Sequence, residues 1–272
     1  MADVSNVWTN GAADNDLNTA GNWTAGAAPG ANDRAYFIAD YNGVAGPTVD
    51  MAALNLIDLD LLLVGEGYTR TIGGSGSELD ISADLVWYRG SSGKLWLKDG
   101  AGTTDLVLVD STASDPLGHD CVALTGATFT QVDVLRGFLT LLTGVTVTTL
   151  NVGKFNSPAT EAKCVINAGT ITVTNFKQYS GLTTNNQALT TVDIYGGIFT
   201  QALGVDTSVN VYGGRANLNV AGTYTNVRAY PGSIVDFSQS GGRKIVTNFY
   251  EYPGSTIIGR ELLKVTNSMI SV

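Results

Sequence analysis

The chain has 272 residues, of which 44% are hydrophobic and only 14% are charged, against roughly 25% charged residues in a typical soluble domain. Its net charge is −9, so its surface would repel nucleic acid and anionic membranes, which bind clustered Lys and Arg side chains. Plentiful β-branched residues and a moderate net charge exclude intrinsic disorder, and the length suits a single all-β domain.

Residues 1–45 form an N-terminal segment that differs from the rest of the chain. The segment carries Trp8, Trp23 and Phe37 within loops rich in Gly, Ala and Asn. Stacked strands leave unpaired edges at the ends of the stack, and such edges invite aggregation unless they are covered. We therefore predict that this segment is a cap, whose large aromatic side chains lie over the first coil of the region that follows.

Two short segments are similar to calcium-binding loops. Residues 14–18 begin like an EF-hand loop but lack its Gly and its distal Glu. Residues 73–79 carry a Glu where a calcium-binding nonapeptide repeat has Asp, and they occur once, whereas such sites form between stacked copies. We predict a turn at each position, and we expect no metal site and no cofactor.

Residues 46–272 read as one continuous series of short strands separated by Gly. Apolar residues alternate with polar ones, which predicts strands with one buried face. Runs of this kind lie at 85–87, 95–97, 106–109, 145–147, 171–173 and 209–211. The sequence contains no helix-length apolar pattern with capping signals.

A strict repeat identifies the architecture. Val-Asp-Ile-Tyr-Gly-Gly at 192–197 recurs as Val-Asn-Val-Tyr-Gly-Gly at 209–214 and as Val-Arg-Ala-Tyr-Pro-Gly at 227–232, with a degraded copy at 249–254. A repeat of about twenty residues built from short strands is one coil of a β-solenoid. The general crossover rule makes such a coil right-handed. The sequence therefore predicts an all-β fold, a single-stranded right-handed parallel β-helix.

The repeat also places one tyrosine of each coil at the same position, namely Tyr195, Tyr212, Tyr230 and Tyr252. Stacked coils would align these side chains about 4.8 Å apart. An exposed aromatic row of this kind could stack on sugar rings or form a subunit contact. The alternative is a purely structural stack at a corner of the solenoid, with its hydroxyls reaching water.

Carboxylates are the only other candidates for chemistry. Asp193, Asp206, Asp236 and Glu251 could meet on neighbouring coils, but spacing alone selects no pair at the roughly 5–10 Å that glycoside hydrolysis needs. His119 lies within a turn-like sequence, residues 116–120, and has no Ser or Cys motif around it, so we predict a loop residue. We find no catalytic motif and expect a protein that is not an enzyme.

The two cysteines, Cys121 and Cys164, form neither a disulfide framework nor a C-x-x-C motif. We interpret them as small buried hydrophobic residues, with a disulfide between them as the alternative.

The N-terminal segment resembles a motif at the start of many β-helical passenger regions of autotransporter-like and other bacterial surface proteins. The motif is a Trp, an Asn-Trp pair, a Gly, a Pro-Gly, an Asp and an apolar strand. Here it is formed by Trp8, Asn22-Trp23, Gly26, Pro29-Gly30, Asp33, Ala35 and Phe37. The resemblance implies a parallel β-helix directly downstream, which agrees with the repeats.

Passenger proteins carry a secretion signal, whereas the first residues here show neither a basic region nor an apolar one. No stretch approaches the roughly 20 apolar residues of a membrane span, so we expect no membrane insertion. A compact solenoid with these features is also similar to phage-type virion accessory proteins, which are released by lysis.

Three functions follow in order of preference. The first is a structural protein on the surface of a virus particle, such as a capsid decoration protein, whose partners are capsid proteins or further copies of itself in a homo-oligomer such as a trimer. The second is a secreted bacterial adhesin that binds a surface glycan outside the cell. The third, a polysaccharide lyase or hydrolase, rests on architecture alone.

Overall fold

The computed structural model describes residues 5–41, 58–99, 102–113, 120–126, 128–154 and 161–270. The chain is all-β, and helical structure in these residues is limited to single 3₁₀ turns at Ala20–Asn22, Ala39–Tyr41 and Arg260–Leu262. The chain divides into two compact units, residues 1–146 and 147–272. In each unit parallel strands stack as a β-solenoid, which confirms the predicted fold class. The predicted boundary at residue 45 lies outside the described residues, and the right-handed path stays a prediction.

The first unit contains two parallel sheets. Its strands are β1 (Ser5–Val7), β2 (Arg34–Phe37), β3 (Asp58–Val64), β4 (Leu79–Asp80), β5 (Ser82–Tyr88), β6 (Leu95–Lys98), β7 (Thr104–Asp110), β8 (Asp120–Thr125) and β9 (Thr128–Leu141). One sheet has the order β1, β2, β3, β5, β7, β9. The other has the order β4, β6, β8, β9. Strand β9 is long enough to pair with β7 through its first part and with β8 through its last.

The second unit repeats this plan with greater regularity. Its strands are β10 (Thr146–Val152), β11 (Ala162–Ile166), β12 (Thr172–Gln178), β13 (Leu182–Asn185), β14 (Thr191–Ile194), β15 (Ile198–Gln201), β16 (Ser208–Val211), β17 (Arg215–Leu218), β18 (Gly222–Ala229), β19 (Ile234–Asp236), β20 (Lys244–Glu251), β21 (Thr256–Ile258) and β22 (Leu263–Ile270). The even-numbered strands from β12 to β22 pair in order as sheet I. The odd-numbered strands from β11 to β21 pair in order as sheet II.

Alternation along each strand of sheet I builds the core of the second unit. Register pairs one inward residue of each coil with the next, which gives a buried column of Phe176, Val192, Val209, Val227 and Phe249. Burial of each such side chain stabilises the fold by roughly 1.5–3 kcal/mol. Within each strand, the residues directly before and after the buried one point outward, since successive side chains of a strand alternate between its faces.

Each coil turns from sheet I into sheet II at a corner with the sequence Tyr-x-Gly. The final glycine has a left-handed backbone, with φ of +74° at Gly197 and +68° at Gly214, a conformation that glycine adopts without steric cost. Where the middle residue is glycine, stacking constrains it, because a Cβ added to Gly213 would lie 2.5 Å from the carbonyl oxygen of Tyr195. The corner therefore repeats closely enough to bring the tyrosines of successive coils together.

Candidate contact surface at the tyrosine corner

The four tyrosines of the sequence repeat lie in one continuous stack. Each follows a strand of sheet I, namely β14, β16, β18 or β20. Ring centroids are 4.8 Å apart for Tyr195 and Tyr212, 4.5 Å for Tyr212 and Tyr230, and 4.7 Å for Tyr230 and Tyr252. The planes of neighbouring rings differ by 8–19°, so the rings are nearly parallel.

A fifth ring, that of Tyr179, extends the stack, with its centroid 5.1 Å from that of Tyr195 and its plane within 11°. Sequence reasoning missed this residue because the repeat was defined with an apolar residue before the tyrosine, and here Gln178 stands in that position. The spacing Tyr-x-Gly, with Gly181 at φ +81°, is the signal that would have found it. We call the five residues 179, 195, 212, 230 and 252 the tyrosine ladder.

The ladder is partly open to solvent. The side chains of Tyr195 and Tyr212 are each 38% exposed, and the other three tyrosines are half-buried. Both faces of the three inner rings are covered by neighbouring rings at stacking distance. The ladder therefore presents ring edges and hydroxyl groups to solvent, not aromatic faces.

Two of the ladder phenols, those of Tyr195 and Tyr212, hold their protons more tightly than free tyrosine. Partial burial, the nearby Asp193 carboxylate, and Tyr230 and Tyr195 raise the pKa of Tyr212 to about 12. Partial burial, the charge of Asp193 and the neighbour Tyr179 likewise raise the pKa of Tyr195. The hydroxyls of Tyr195 and Tyr212 are thus neutral at physiological pH, and each can both donate and accept a hydrogen bond.

A polar row runs beside the ladder on the outer face of sheet I. Asp193, Asn210 and Arg228 lie in register on consecutive coils, each two residues before a ladder tyrosine. Asn210 donates from Nδ2 to Asp193 (2.8 Å) and accepts at Oδ1 from Arg228 (3.0 Å). The Arg228 guanidinium lies 4.7 Å from the ring centroid of Tyr250 on the next coil. We call residues 193, 210 and 228 the polar row.

The four candidate carboxylates do not converge on a common site. Asp193 belongs to the polar row, and Asp206 is completely buried in the interior. Asp236 pairs with Arg215 at the end of β19, and Glu251 pairs with Arg260. Within the described residues, no two of these carboxylates share a hydrogen-bond partner.

Asp206 belongs to a buried polar cluster that the sequence did not reveal. Its Oδ1 accepts from the backbone N–H of Leu189 (2.8 Å) and from Asn185 Nδ2 (3.4 Å), and Asn185 also donates to Gln201 (2.8 Å). Asp206 Oδ2 has no hydrogen-bond partner among the described residues. Burial raises the pKa of this carboxyl group to about 7, against the smaller opposing effect of the Leu189 hydrogen bond.

Asp236 shows the opposite behaviour. Burial tends to raise its pKa, but hydrogen bonds from Ser238, Gln239 and Arg215 outweigh this effect and lower the pKa to about 2. Its Oδ1 accepts from the backbone N–H and the hydroxyl of Ser238, both at 2.7 Å. Asp236 is therefore an ionised group that fixes the turn after β19.

The three aromatic residues assigned to the cap lie in one buried cluster of the first unit. Ring centroids are 5.4 Å apart for Trp8 and Trp23, 6.0 Å for Trp8 and Phe37, and 5.9 Å for Trp23 and Phe37. Trp23 donates from its indole nitrogen to the carbonyl oxygen of Leu17 (2.7 Å). Phe37 also contacts the ring of Tyr68, at 5.8 Å, which joins the cluster to the following coil.

The same segment covers one edge of β1. The backbone N–H of Thr24 donates to the carbonyl oxygen of Val7 (3.0 Å), and the Thr24 hydroxyl accepts from the N–H of Val7 (3.0 Å). Trp8 and Trp23 form an antiparallel bridge beside this contact. The other edge of β1 pairs with β2. This geometry suits a cap, and the capping role itself stays a prediction.

The remaining candidates have simple surroundings. Cys121 and Cys164 are buried and not bonded to each other. Asp14 accepts from the backbone N–H of Asp16 (3.0 Å) and the hydroxyl of Thr19 (2.8 Å), as in a turn. Residues 74 and 77 close a tight turn with two backbone hydrogen bonds of 3.0 Å. His119 lies outside the described residues.

The described part of the chain contains neither a cluster of metal-ligating side chains nor a membrane-spanning helix. There, no three His, Cys, Asp or Glu side chains lie together in a group that could hold a metal ion. In the same residues, no helix has the length and apolar character needed to cross a membrane.

The chain was also compared with known proteins. No protein-family model, no curated protein and no solved structure matches it.

Proposed function

We propose that this chain is a non-enzymatic structural protein on the surface of a virus particle, a capsid decoration or accessory protein, and that the tyrosine ladder is its contact surface. The observation that carries the proposal is which parts of the ladder's rings are exposed to solvent. The three inner tyrosines have both aromatic faces covered by one another or by the end rings, so the ladder offers a rigid row of edges and hydroxyls at regular spacing.

That geometry favours a protein contact over sugar binding. A sugar ring packs its C–H groups against an open aromatic face, and the inner rings of the ladder have none to offer. A protein surface can instead engage ring edges and hydroxyl groups, and tyrosine is enriched at such interfaces because it combines a large apolar body with a polar tip. The adhesin alternative would then need a different surface of the chain.

Rigidity supports the same proposal. Each strand from β13 to β20 pairs with the strand before it and the strand after it in its own sheet, and side chains add ladders of their own. In one of them Asn248 donates to Asn226 (3.1 Å) and Asn267 donates to Asn248 (3.0 Å). A repeat held by backbone and side-chain bonds at each step resists deformation, as a protein displayed on a particle requires.

The test is mass spectrometry on density-purified virus particles and, separately, on outer-membrane and secreted fractions from the source culture. We expect the intact chain to band with the particles at a near-stoichiometric ratio to the major capsid protein. Recovery in the membrane or secreted fraction with a processed N-terminus, and not in particles, would overturn the proposal and favour the adhesin.

A further inference from the structure

The tyrosine ladder and the polar row together have an internal symmetry. Tyr212 is the central ring of the ladder, with two rings on either side. Asn210 is the central residue of the polar row, with Asp193 one coil before it and Arg228 one coil after it. Seen from the coil that carries Asn210 and Tyr212, the rings are arranged symmetrically and the charges of Asp193 and Arg228 are opposite. Lys177 lies in register with Asp193 on the coil before it, and the uncharged Tyr250 holds the corresponding position after Arg228.

A surface of this kind is complementary to itself in one orientation only. A second copy rotated by a two-fold axis through the central coil, perpendicular to the direction of stacking, brings each Asp193 opposite the Arg228 of the other copy. A copy related by an axis along the polar row, parallel to the stacking direction, would instead place Asp193 opposite Asp193 and Arg228 opposite Arg228. Like charges placed face to face oppose association, so the charge pattern selects the perpendicular axis.

The tyrosine ladder is also complementary to itself under the perpendicular two-fold axis. The rings are spaced by the distance between neighbouring strands, about 4.8 Å. A second copy of the chain has the same spacing, so each ring of one copy can face a ring of the other. A tyrosine hydroxyl can both donate and accept a hydrogen bond, so each hydroxyl of the ladder can bond to its counterpart. A two-fold axis then sets Tyr195 opposite Tyr230, and Tyr212 opposite itself.

We propose that the tyrosine ladder and the polar row form an isologous dimer interface, occupied by a second copy of this chain in the antiparallel orientation. The inference rests on the proposed function in one respect, the assignment of the ladder as a contact surface. A two-fold interface of this type uses the same patch on both subunits. Five coils span only about 19 Å, which is short for a standard interface, so we expect association in the micromolar range or weaker.

The experiment is sedimentation equilibrium on the full chain from low micromolar to near-millimolar concentration, with two charge reversals, Asp193→Arg and Arg228→Asp. We expect the wild-type chain to dimerise. Each single reversal places two like-charged pairs across the interface, and we expect it to weaken dimerisation by at least about tenfold. Arg243→Asp is the matched control, because Arg243 is exposed outside both the ladder and the polar row, and we expect it to dimerise like the wild type.

An equimolar mixture of the two reversal variants gives the decisive measurement. In a mixed dimer, the guanidinium introduced by Asp193→Arg in one copy faces the carboxylate introduced by Arg228→Asp in the other. The second contact pairs the unchanged Arg228 of the first copy with the unchanged Asp193 of the second. We therefore expect native mass spectrometry to show a heterodimer of about wild-type strength from two proteins that self-associate poorly. This recovery also shows that both variants are folded.

Three results would overturn the inference: a wild-type chain that stays monomeric at the highest concentration, single reversals that dimerise like the wild type, or a mixture no stronger than its components. Each concerns the purified chain alone. A chain that bands with virus particles but fails these tests would leave the proposed function standing and remove only the dimer interface, so the two failures are distinguishable.

Discussion

Replacing Asp206 by Asn tests the buried polar cluster through the pH dependence of folding. The carboxyl group has a pKa of about 7 in the folded chain against an ordinary value of 3.8, so the folded state holds a proton that the unfolded state has released between these two values. The free energy of unfolding therefore falls as pH rises through this window, by about 1.4 kcal/mol per pH unit and about 4 kcal/mol in all. Above pH 7 the carboxyl is ionised in both states and the loss is complete.

The assay is urea denaturation of the wild type and of Asp206→Asn, followed by circular dichroism from pH 5 to 8.5, above the sequence pI of 4.4. Asn keeps the side-chain oxygen that accepts from Leu189 but does not titrate, so subtracting the two curves removes all other titrating groups. Relative to the wild type, we expect the free energy of unfolding of the variant to rise by about 2 kcal/mol between pH 5 and pH 7, and by only a few tenths of a kcal/mol above pH 7. A difference that does not change with pH, or that changes with the opposite sign, would mean that the folded chain does not hold this proton.

Three further changes test other parts of the second unit. Gly213→Ala should lower the free energy of unfolding by about 1–3 kcal/mol, because its new Cβ would lie 2.5 Å from the Tyr195 carbonyl oxygen; Gly241→Ala, which meets nothing within 4 Å, should be nearly neutral in the same urea titration. Tyr212→Ala removes two stacking contacts and should cost about 1–3 kcal/mol, whereas Tyr212→Phe keeps the ring and should cost under about 0.5 kcal/mol; equal losses would contradict the stacking account. Lys244→Met should lower the free energy of unfolding by about 2–4 kcal/mol, since this buried lysine donates to two main-chain carbonyls that would lose their partner. An unchanged midpoint of urea unfolding would show that water replaces the ammonium group.

The parts of the structure that follow from periodicity could be predicted from the sequence. The alternation of Val192, Val209 and Val227 with polar neighbours gives strands with one buried face, and the recurring corner gives the coil. Once coils stack at the strand spacing, residues at equal positions in the repeat must lie beside each other. The spacing of about 4.8 Å expected for the tyrosines therefore follows from the repeat alone, and centroid distances of 4.5–5.1 Å agree with it.

The positions of buried polar side chains, which depend on their hydrogen-bond partners, could not be predicted in this way. Asn185, Gln201 and Asp206 are polar, and polarity alone predicts a surface position. They are buried because each finds partners in the turns that follow the strands of sheet II, a condition that depends on three-dimensional neighbours. The buried position of Lys244, which bridges the carbonyl groups of Phe237 and Ser240, is hidden from the sequence for the same reason.

The register of the coils also bears on how a protein of this kind changes its length. Asp193 and Asn210 lie 17 residues apart in sequence, yet they are direct neighbours in space. Duplicating or deleting one such segment would carry every side chain to an equivalent position, so the altered chain would keep its ladders and differ in length by about one strand spacing, ~4.8 Å. The length of this fold can therefore change during evolution by one coil at a time, while the core contacts of the remaining coils stay the same.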